Sequence, residues 1–460
     1  MSLENTSKQR IDEIIEAQKR YFTSGATLEY EFRREQLLRL KKALQEWHKP
    51  LCDALWQDLH KSEQEAILTE TSIVAGEVKN HLKNLKSWMR TERRSTPLKM
   101  MPSRSRIISE PLGQSLIIAP WNYPVQLLLN PLVGAISAGC TALLKPSPYV
   151  PKVSKVIEQM IRATFDERYV AVVQGNREVN QQLLEHRFDI IFFTGSPSLG
   201  RKVMEAASKN LTPVVLELGG KSPCIVDVGA DIELAARRIA WGKTLNAGQT
   251  CIAPDYLLIH ASLQEQFTTA FRKALRKLHG KDVRQSKHFV RMVNSKAFDR
   301  VASYLKDGRA VIGGNTDREE LYIEPTLLAD VKADAPVMQE EIFGPVLPML
   351  PFSTTEEAVK FVTEREKPLA LYYFGRKSEA WRVLRHTSSG GACINDTIMH
   401  IANENLPFGG VGNSGMGSYH GRLSFDAFSH RRAVVSTPKW IDLPFRYMPY
   451  KMFSLVKKLL

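Results

Sequence analysis

The stretch DIIFFTGSPSLGRKV, residues 189–203, shows the pattern that decides the fold. A short run of β-forming apolar residues ends in a Gly/Ser-rich turn, and helix-forming residues follow it, which predicts a buried strand that turns tightly into a helix. Gly195, Ser196 and Gly200 would let the backbone approach a ligand, and the N–H groups that open the helix would face a phosphate. A plain strand-to-helix turn is an equal alternative, because the stretch lacks the full G-x-G-x-x-G pattern.

Five further runs of the same kind surround this stretch. Each is brief, rich in β-forming residues and bounded by Gly or Pro, as expected of strands buried on both faces. They are SLIIAP (115–120), TALLKP (141–146), VAVVQG (170–175), PVVLELGG (213–220) and CIVDVGA (224–230). Helix candidates lie between the runs, and this alternation predicts a parallel, doubly wound sheet that binds ligands at the carboxyl ends of its strands.

The rest of the chain divides into three kinds of segment. A second alternation of strands and helices extends from about residue 230 to 424 and predicts a second α/β lobe across a cleft from the first. The N-terminal part is predicted to be helical, and SIVAGEVKNHLKNLKSWMRTERR (72–94) predicts an amphipathic helix that ends in basic residues. Residues 93–107 are basic and without helical period, so they form either a linker or a protruding arm.

Composition and charge restrict the function classes. The chain has 460 residues, 43% hydrophobic and 24% charged, which is typical of a soluble globular protein without membrane-spanning helices. Five widely spaced cysteines disfavour a disulfide framework and a metal site and indicate the reducing cytoplasm. The net charge of +14 fits a surface that attracts anionic ligands, and no nucleic-acid module accompanies it. The basic, apolar end (445–460) either contacts an anionic membrane surface or docks on the protein.

One cysteine, Cys251, lies among small and polar residues in LNAGQTCIAPDY (245–256). A core cysteine normally has apolar neighbours, so a loop position is favoured here. A thiolate in an accessible loop can attack an electrophile, which makes Cys251 a candidate nucleophile. No histidine lies nearby to form a Cys-His pair, so the residues alone supply no base.

Other polar side chains follow predicted strands. Asn122, fixed between two prolines, could stabilise an oxyanion, although an Asn that bonds its own turn is more common. Glu217 ends an apolar run and is either a general base with a raised pKa or a residue turned to solvent. Lys145 could reach a ribose or phosphate or merely solvate the surface. Glu341 and Phe343 lie beside a Gly-Pro turn and could belong to a site. The simpler interpretation is that this segment is only a charged surface turn.

Seven motifs, taken in order, resemble the aldehyde dehydrogenase superfamily. They are PWNYP, LLKPSP, FTGSPSLG, ELGGKSP, GQTCIAPDY, EEIFGPV and LPFGGVGNSGMG, and they extend over nearly the whole chain. One such motif would be weak, but seven in register are highly specific. The short N-terminus and the segment YHGRLSFDAFSHRR (419–432) are similar to the class 3 branch, which includes fatty and aromatic aldehyde dehydrogenases.

The resemblance implies a role for each matching catalytic residue. Cys251 would attack the aldehyde carbon, and Asn122 with the Cys251 backbone N–H would hold the oxyanion. Hydride transfer to a nicotinamide would leave a thioester, and Glu217 would activate the water that hydrolyses it to a carboxylic acid. A carboxylate that acts chiefly on water would thus supply the base that no nearby histidine provides.

The same resemblance implies NAD or NADP as cofactor. The dinucleotide would lie across the turn that ends at Gly200, with Lys145 on the adenosine ribose, Glu341 on the nicotinamide ribose and Phe343 near the nicotinamide. The cofactor-binding residues so implied are Trp121, Lys145, Gly175, Gly195, Ser196, Gly200, Leu218, Glu341 and Phe343. Many NAD-preferring relatives carry an acidic residue where this chain has Pro148, so we expect NADP to be accepted as well as NAD.

A two-lobed fold with an arm is also implied. The class 3 pattern places a Rossmann-like cofactor domain at 1–92 and 111–219, and a catalytic domain at 220–427. Residues 93–110 and 428–460 would form a small β oligomerisation arm and C-terminal tail. The arm predicts a homodimer, and the short end of the chain predicts no stable membrane insertion.

Two alternatives on the same fold remain, and the aldehyde itself is open. A CoA-acylating dehydrogenase shares the cysteine but generally lacks the water-activating glutamate, so Glu217 disfavours it. A catalytically silent binding protein is disfavoured because all three candidate catalytic residues are present. An apolar tunnel that favours medium-chain or aromatic aldehydes is the hypothesis for the substrate, with the lining Tyr123, Leu127, Thr250 and Phe408.

Overall fold

The computed structural model describes residues 4–442, 446–450, 453 and 457, so the predicted contact of the chain end falls largely outside the described residues. Helices fill the N-terminal part and then alternate with strands. The α-helices are α1 (Lys8–Thr23), α2 (Tyr30–Glu46), α3 (His48–Leu59), α4 (Glu63–Ala66), α5 (Ser72–Trp88), α6 (Gln126–Ala138), α7 (Pro151–Thr164), α8 (Arg177–Glu185), α9 (Pro197–Ser208), α10 (Ile232–Thr244), α11 (Gln264–His279), α12 (Ser295–Ser303), α13 (Thr355–Thr363), α14 (Lys377–His386) and α15 (Arg422–Ala427).

The strands are short, and most of them enter one of two large sheets. They are β1 (Glu92–Arg94), β2 (Arg104–Pro111), β3 (Gln114–Ile118), β4 (Thr141–Lys145), β5 (Val170–Val172), β6 (Ile190–Gly195), β7 (Val214–Leu218), β8 (Pro223–Val226), β9 (Tyr256–His260), β10 (Arg309–Ile312), β11 (Thr316–Asp317), β12 (Tyr322–Ile323), β13 (Thr326–Ala329), β14 (Val346–Phe352), β15 (Ala370–Phe374), β16 (Gly391–Ile394), β17 (Gly415–Met416) and β18 (Ser429–Ser436).

The first large sheet has six strands in the order β17-β7-β6-β3-β4-β5, and only β17 is antiparallel to its neighbour. The strand order reverses at β3, because β4 and β5 extend to one side of it and β6 and β7 to the other. Ligands bind such sheets where the order reverses, at the carboxyl ends of the strands. The doubly wound sheet predicted from the apolar runs is therefore confirmed, and its crevice opens where β3 and β6 end.

Helices cover both faces of this sheet, which explains why its strands read as continuous apolar runs. All five residues of β3 and of β4 are buried. The side chain of Gln18 in α1 donates from Nε2 to the backbone oxygen of Ala142 in β4 at 2.9 Å, so this N-terminal helix lies directly on the sheet.

The second large sheet has seven strands in the order β10-β13-β14-β9-β8-β15-β16, all parallel except β10. The run CIVDVGA forms β8 in this sheet, so grouping it with the runs of the first sheet is wrong: the chain crosses to the second lobe directly after β7. Residues 219–222 alone join the carboxyl end of β7 to the amino end of β8. Because this link is so short, the carboxyl edge of the first sheet lies close to the amino edge of the second.

A small antiparallel sheet of β1, β2 and β18 forms the arm. The helix predicted over 72–94 is wrong at its end: α5 stops at Trp88, and Glu92–Arg94 form β1. The last residues carry charge on every face and so cannot bury a helical stripe. Instead the Glu92 carboxylate accepts from Arg431 of β18 at 2.8 Å.

No helix within the described ranges is long and apolar enough to span a bilayer.

Candidate active site

The loop after β3 presents Asn122 at the crevice, with its side chain 2% exposed. Its Nδ2 donates to the backbone oxygen of Gln249 at 3.1 Å. Its own backbone oxygen accepts from Lys61 Nζ at 3.1 Å and from Asn246 Nδ2 at 2.9 Å. An amide nitrogen carries two N–H donors, so one remains for a ligand while the backbone is held in place. The side chain is thus fixed next to the segment that leads to Cys251.

The segment before Cys251 is a strained turn. Asn246, Ala247 and Gly248 have φ values of 51°, 52° and 73°, so three successive residues are left-handed. Left-handed backbone is costly for residues other than glycine and persists only where the surroundings hold it, often at functional sites. Gln249 provides that hold, because its Nε2 donates to the backbone oxygens of Asn246 and Arg291, both at 3.1 Å.

Cys251 follows this turn in a partly buried position. Burial raises the pKa of its thiol, and the negative charges of Glu341 and Glu217 raise it further. The N–H groups of Cys251 and Ile252 donate toward the sulfur and act in the opposite direction. The thiol is therefore protonated at neutral pH in the resting site, and it shares its surroundings with two carboxyl groups.

Glu217 lies in β7 with only 3% of its surface exposed. Burial raises the pKa of this carboxyl well above its ordinary value, and neither of its oxygens has a hydrogen-bond partner in the described part of the chain. The segment LPFGG lies against it, since a Cβ added at Gly409 would stand 3.2 Å from Glu217 Oε1. An unpaired buried carboxyl is costly, so its presence beside a thiol points to chemistry rather than to stability.

Glu341 belongs to a turn of the second lobe that other side chains hold. Its backbone oxygen accepts from Arg300 Nη1 at 3.0 Å, and the next N–H, of Ile342, donates to Asp255 Oδ1 at 2.8 Å. Burial raises the pKa of Glu341 to about 8, and the charge of Asp255 adds to the effect. The carboxylate lies so close to Gly219 that a Cβ there would stand 1.9 Å from Oε2.

An aromatic contact joins the two lobes at the site. The rings of Trp121 and Phe343 lie 5.4 Å apart at 84°, an edge-to-face arrangement. Trp121 follows β3 in the first lobe, and Phe343 adopts a φ of 51° in the turn that carries Glu341. This contact brings the Asn122 loop and the Glu341 turn together.

The remaining predicted cofactor residues follow the carboxyl edge of the six-stranded sheet. Lys145 ends β4 with 1% exposure, donates to the backbone oxygen of Pro146 at 2.9 Å, and has a pKa lowered by burial to about 8. Ser196 caps α9, accepting from the N–H of Leu199 at 3.4 Å. Gly200 packs on Leu218, where a Cβ would meet Cδ2 at 2.7 Å.

Gly175 follows β5, at the far end of the same edge from β7, and its φ of +144° lies in the range that favours glycine. A Cβ there would also meet Val179 Cγ2 at 2.3 Å. The structure thus gathers the Cys251, Glu217 and Asn122 side chains with those of the Glu341 turn. Lys145 and Gly175 lie further along the edge, where an extended ligand rather than a small one would reach them.

The sequence as a whole matches the aldehyde dehydrogenase family model over residues 1–434. The chain belongs to the aldehyde dehydrogenase family. Its similar proteins include 4,4'-diaponeurosporen-aldehyde dehydrogenase of Staphylococcus aureus, 46% identical over 443 residues that cover 95% of this chain and 96% of that one. They also include human aldehyde dehydrogenase family 3 member B1, 49% identical over 90% of this chain and 89% of the relative. The chain is accordingly an enzyme that oxidises aldehydes to carboxylic acids.

Solved structures of aldehyde dehydrogenases share its fold. The substrate-bound state of Staphylococcus aureus AldH has a TM-score of 0.96 at 45% identity and covers 98% of this chain and 99% of that one. An indole-3-acetaldehyde dehydrogenase in complex with NAD+ has a TM-score of 0.86 at 26% identity over 95% of this chain and 90% of its own. The resemblance to the class 3 branch and the predicted α/β fold are both confirmed.

Sequence reasoning missed one part of this aldehyde dehydrogenase site. Lys61, Glu65 and Glu70 are buried beside the loops that carry Asn122 and Cys251. Their stretch, KSEQEAILTE, has the composition of a solvated helix, and charged residues are seldom fully buried. No signal in a single sequence separates these residues from surface charge.

Proposed function

We propose that this aldehyde dehydrogenase works through a thioester on Cys251, with Asn122 holding the oxyanion and Glu217 as the base for water. The observation that carries the proposal is the buried Glu217 carboxyl, which lies beside the thiol. Both oxygens of this carboxyl are without a hydrogen-bond partner among the described residues. The second supporting feature is the Asn122 amide, which is fixed by its backbone and retains a free donor.

The covalent steps balance on this chain's own groups. The Cys251 thiol first loses its proton to water. The thiolate then forms a C–S bond to the aldehyde carbon, and the carbonyl electron pair moves to the oxygen, where Asn122 Nδ2 and the Cys251 N–H stabilise it. NAD(P)+, when bound, supplies the acceptor for the hydride that leaves this carbon. The carbon is then a thioester, and Glu217 takes a proton from the water that attacks it. The C–S bond breaks, the thiolate leaves, and the carboxylic acid is released.

The residues present fit a dinucleotide. Lys145 is a buried cation whose side chain has only a carbonyl oxygen as its hydrogen-bond partner in the described chain, and a ribose or phosphate would supply further acceptors. Glu341 Oε1 is buried and unpartnered there too, which suits the hydroxyls of a second ribose. The opening turn of α9, from Gly195 to Gly200, offers backbone N–H groups to a pyrophosphate. Trp121, Gly175, Leu218 and Phe343 would complete the surface.

NADP+ is proposed as a cofactor beside NAD+. Pro148 stands three positions after Lys145, where a carboxylate would repel a 2′-phosphate. It is only partly buried, and Tyr149 beside it is 58% exposed, so a phosphate there could remain hydrated. The chain's net charge of +14 adds a general attraction for the additional phosphate.

The aldehyde is proposed to be apolar, medium-chain or aromatic. Tyr123, Leu127, Thr250 and Phe408 are each at most 7% exposed. Tyr123 Oη and Thr250 Oγ1 lie 2.6 Å apart, so the two hydroxyls satisfy each other and present mainly carbon to a substrate. A short polar aldehyde would find few partners on such a surface.

Three further assignments, of the domains, the oligomeric state and the location, complete the proposal. We assign residues 1–92 and 111–219 to the cofactor domain, 220–427 to the catalytic domain, and 93–110 with 428–460 to an arm and tail that join two copies in a homodimer. We place the enzyme in the cytoplasm, because all five cysteines are free thiols.

The test is a spectrophotometric aldehyde panel with NAD+ and NADP+ on the wild type and on Cys251→Ala. We expect octanal and benzaldehyde to exceed glycolaldehyde in kcat/KM by about tenfold or more, and the alanine variant to lose about a thousandfold in kcat or more. Reduced cofactor formed by the variant at the wild-type rate would exclude a Cys251 thioester. A requirement for coenzyme A would favour the acylating alternative.

A further inference from the structure

Lys61 is a cation with 0% exposure that reaches the Asn122 loop from the N-terminal helices. Its Nζ lies 2.7 Å from Glu70 Oε1, donates to the Asn122 backbone oxygen at 3.1 Å, and stands 4.3 Å from the ring centre of Tyr123. A buried ion pair generally adds little stability over apolar residues of the same size, because desolvation of the charges offsets their attraction. Stability alone therefore does not account for a charge in this place.

Glu70 fixes the chain on the other side of Asn122. Its second oxygen, Oε2, accepts from the N–H groups of Val125 and Gln126, both at 3.0 Å. Residues Ile67–Thr71 form a π-helical turn, an irregularity often found at functional sites, and Glu70 lies within it. Lys61 and Glu70 together thus hold the carbonyl of Asn122 and the backbone that follows it.

The same segment also reaches the cysteine loop, through a separate carboxylate. Glu65 Oε1 accepts from the N–H of Asn246 at 2.8 Å, at the first of the three left-handed residues. Asn246 Nδ2 in turn donates to the Asn122 backbone oxygen at 2.9 Å. The Cys251 turn therefore has an anchor in Glu65, to which Lys61 makes no direct hydrogen bond.

We propose that the buried Lys61–Glu70 pair is a positioning device for aldehyde oxidation, which fixes the Asn122 amide so that its free N–H meets the developing oxyanion. This inference rests on the proposed roles of Asn122 and Cys251. Oxyanion donors act only when their geometry is set before the reaction, so a loosened Asn122 backbone costs rate rather than substrate binding.

The test uses Lys61→Met combined with Glu70→Gln, since the single lysine variant would leave a buried carboxylate without its counter-charge. We expect kcat for aldehyde oxidation to fall about tenfold or more with KM little changed, because one well-placed oxyanion donor is worth about a hundredfold or more. Alkylation of Cys251 by iodoacetamide should stay within about twofold of the wild type, because it needs no oxyanion donor and Glu65 still holds the turn.

If the Lys61–Glu70 pair acts by positioning Asn122, the effect of its removal on kcat must depend on Asn122, whereas general damage to the fold would not. In an Asn122→Ala background the same pair of substitutions should lower kcat by no more than about twofold, since coupled residues give non-additive effects. Arg33→Met is the matched control, because Arg33 is also buried and donates to backbone oxygens, those of Thr27 and Ser137, away from these loops. It should lower the melting temperature without lowering kcat.

The inference would be overturned if Lys61→Met with Glu70→Gln lowered kcat equally in the wild type and in the Asn122→Ala variant. It would also be overturned if the double substitution left the kcat of the otherwise wild-type enzyme unchanged. If the double variant does not fold, Glu70→Gln alone should give the same split between turnover and alkylation, and a parallel fall of both would refute it. Turnover by Cys251→Ala would instead refute the proposed function itself.

Discussion

At the scale of single residues, the site depends on carboxyl groups kept away from water. Burial raises the pKa of Glu217 well above its ordinary value, so a larger fraction of this carboxyl is protonated at a given pH than in an exposed glutamate. Only the deprotonated form can take a proton from water. Thioester hydrolysis is therefore expected to accelerate as the pH rises through this raised pKa, and to slow as the pH falls below it.

Glu217→Gln should uncouple the two halves of the reaction. Without the base, the thioester forms but hydrolyses slowly, so stopped-flow absorbance should show a burst of reduced cofactor followed by a steady rate about a hundredfold lower, with the rise in rate at high pH abolished. Glu341→Gln, the other buried carboxyl near the thiol, is the control and should show no burst. A steady rate for Glu217→Gln equal to that of the wild type would contradict the role given to Glu217.

Pro148 is the residue expected to set the choice of dinucleotide. Pro148→Glu places a carboxylate where a 2′-phosphate would bind, and a repulsion of about 1.4 kcal/mol lowers kcat/KM tenfold. We expect kcat/KM for NADP+ to fall by about that factor while the value for NAD+ stays within about threefold. Leu211→Glu adds the same charge at an 89% exposed position away from the crevice and should change neither value. An equal fall with both cofactors would indicate distortion of the loop instead.

At the scale of elements, the left-handed turn before Cys251 is the most constrained segment. Gly248 has a φ of +73°, and a Cβ there would stand 2.3 Å from the backbone oxygen of Gly344. Gly248→Ala should destabilise the fold by about 3 kcal/mol, through backbone strain and a clash that only displacement of the turn can relieve. Displacement also moves Cys251, so kcat should fall with the melting temperature.

Gly280→Ala is the matched control for that substitution. Gly280 also has positive φ, +86°, but nothing lies within 4 Å of a Cβ there. We expect the control to cost about 1–2 kcal/mol from backbone strain alone and to leave kcat unchanged. If the two variants lose the same stability and Gly248→Ala keeps full turnover, the turn does not position the cysteine.

How much of this the sequence could predict differs from element to element. The strands β3 to β8 are readable because their apolar runs end in Gly or Pro, and the side chains at their carboxyl ends are readable for the same reason. Asn246 and Ala247 are not readable as left-handed, since hydrogen bonds to distant residues, Glu65 and Asn122, help to hold this turn. Nor is the burial of Lys61, because the Asn122 carbonyl that it binds lies 61 residues further along the chain. The end of α5 at Trp88 is not readable either, because Glu92–Arg94 pair with β2, and the sequence does not show that pairing.

At the scale of the whole molecule, the arm presents an uncovered strand edge among the described residues. Strand β18 is eight residues long, pairs with β2 on one side, and has no strand on its other edge among the described residues. Most of its residues are exposed, and Leu98 and Val435 of the arm are 88% and 50% exposed. Long uncovered edge strands with apolar side chains are normally avoided in monomers, because they recruit other strands.

Leu98→Lys with Val435→Lys should therefore weaken a dimer of this chain. Like charges would meet where apolar surface is buried between copies, and two lysines on each of two copies are expected to raise the dissociation constant about a hundredfold or more. Sedimentation velocity at several protein concentrations measures the shift from twice the mass of 52.0 kDa toward the single chain. Leu211→Lys, at an exposed apolar position outside the arm, controls for added charge and should leave the dimer intact. A monomeric wild type, or a dimer that resists the double substitution, would show that the arm is not the contact between subunits.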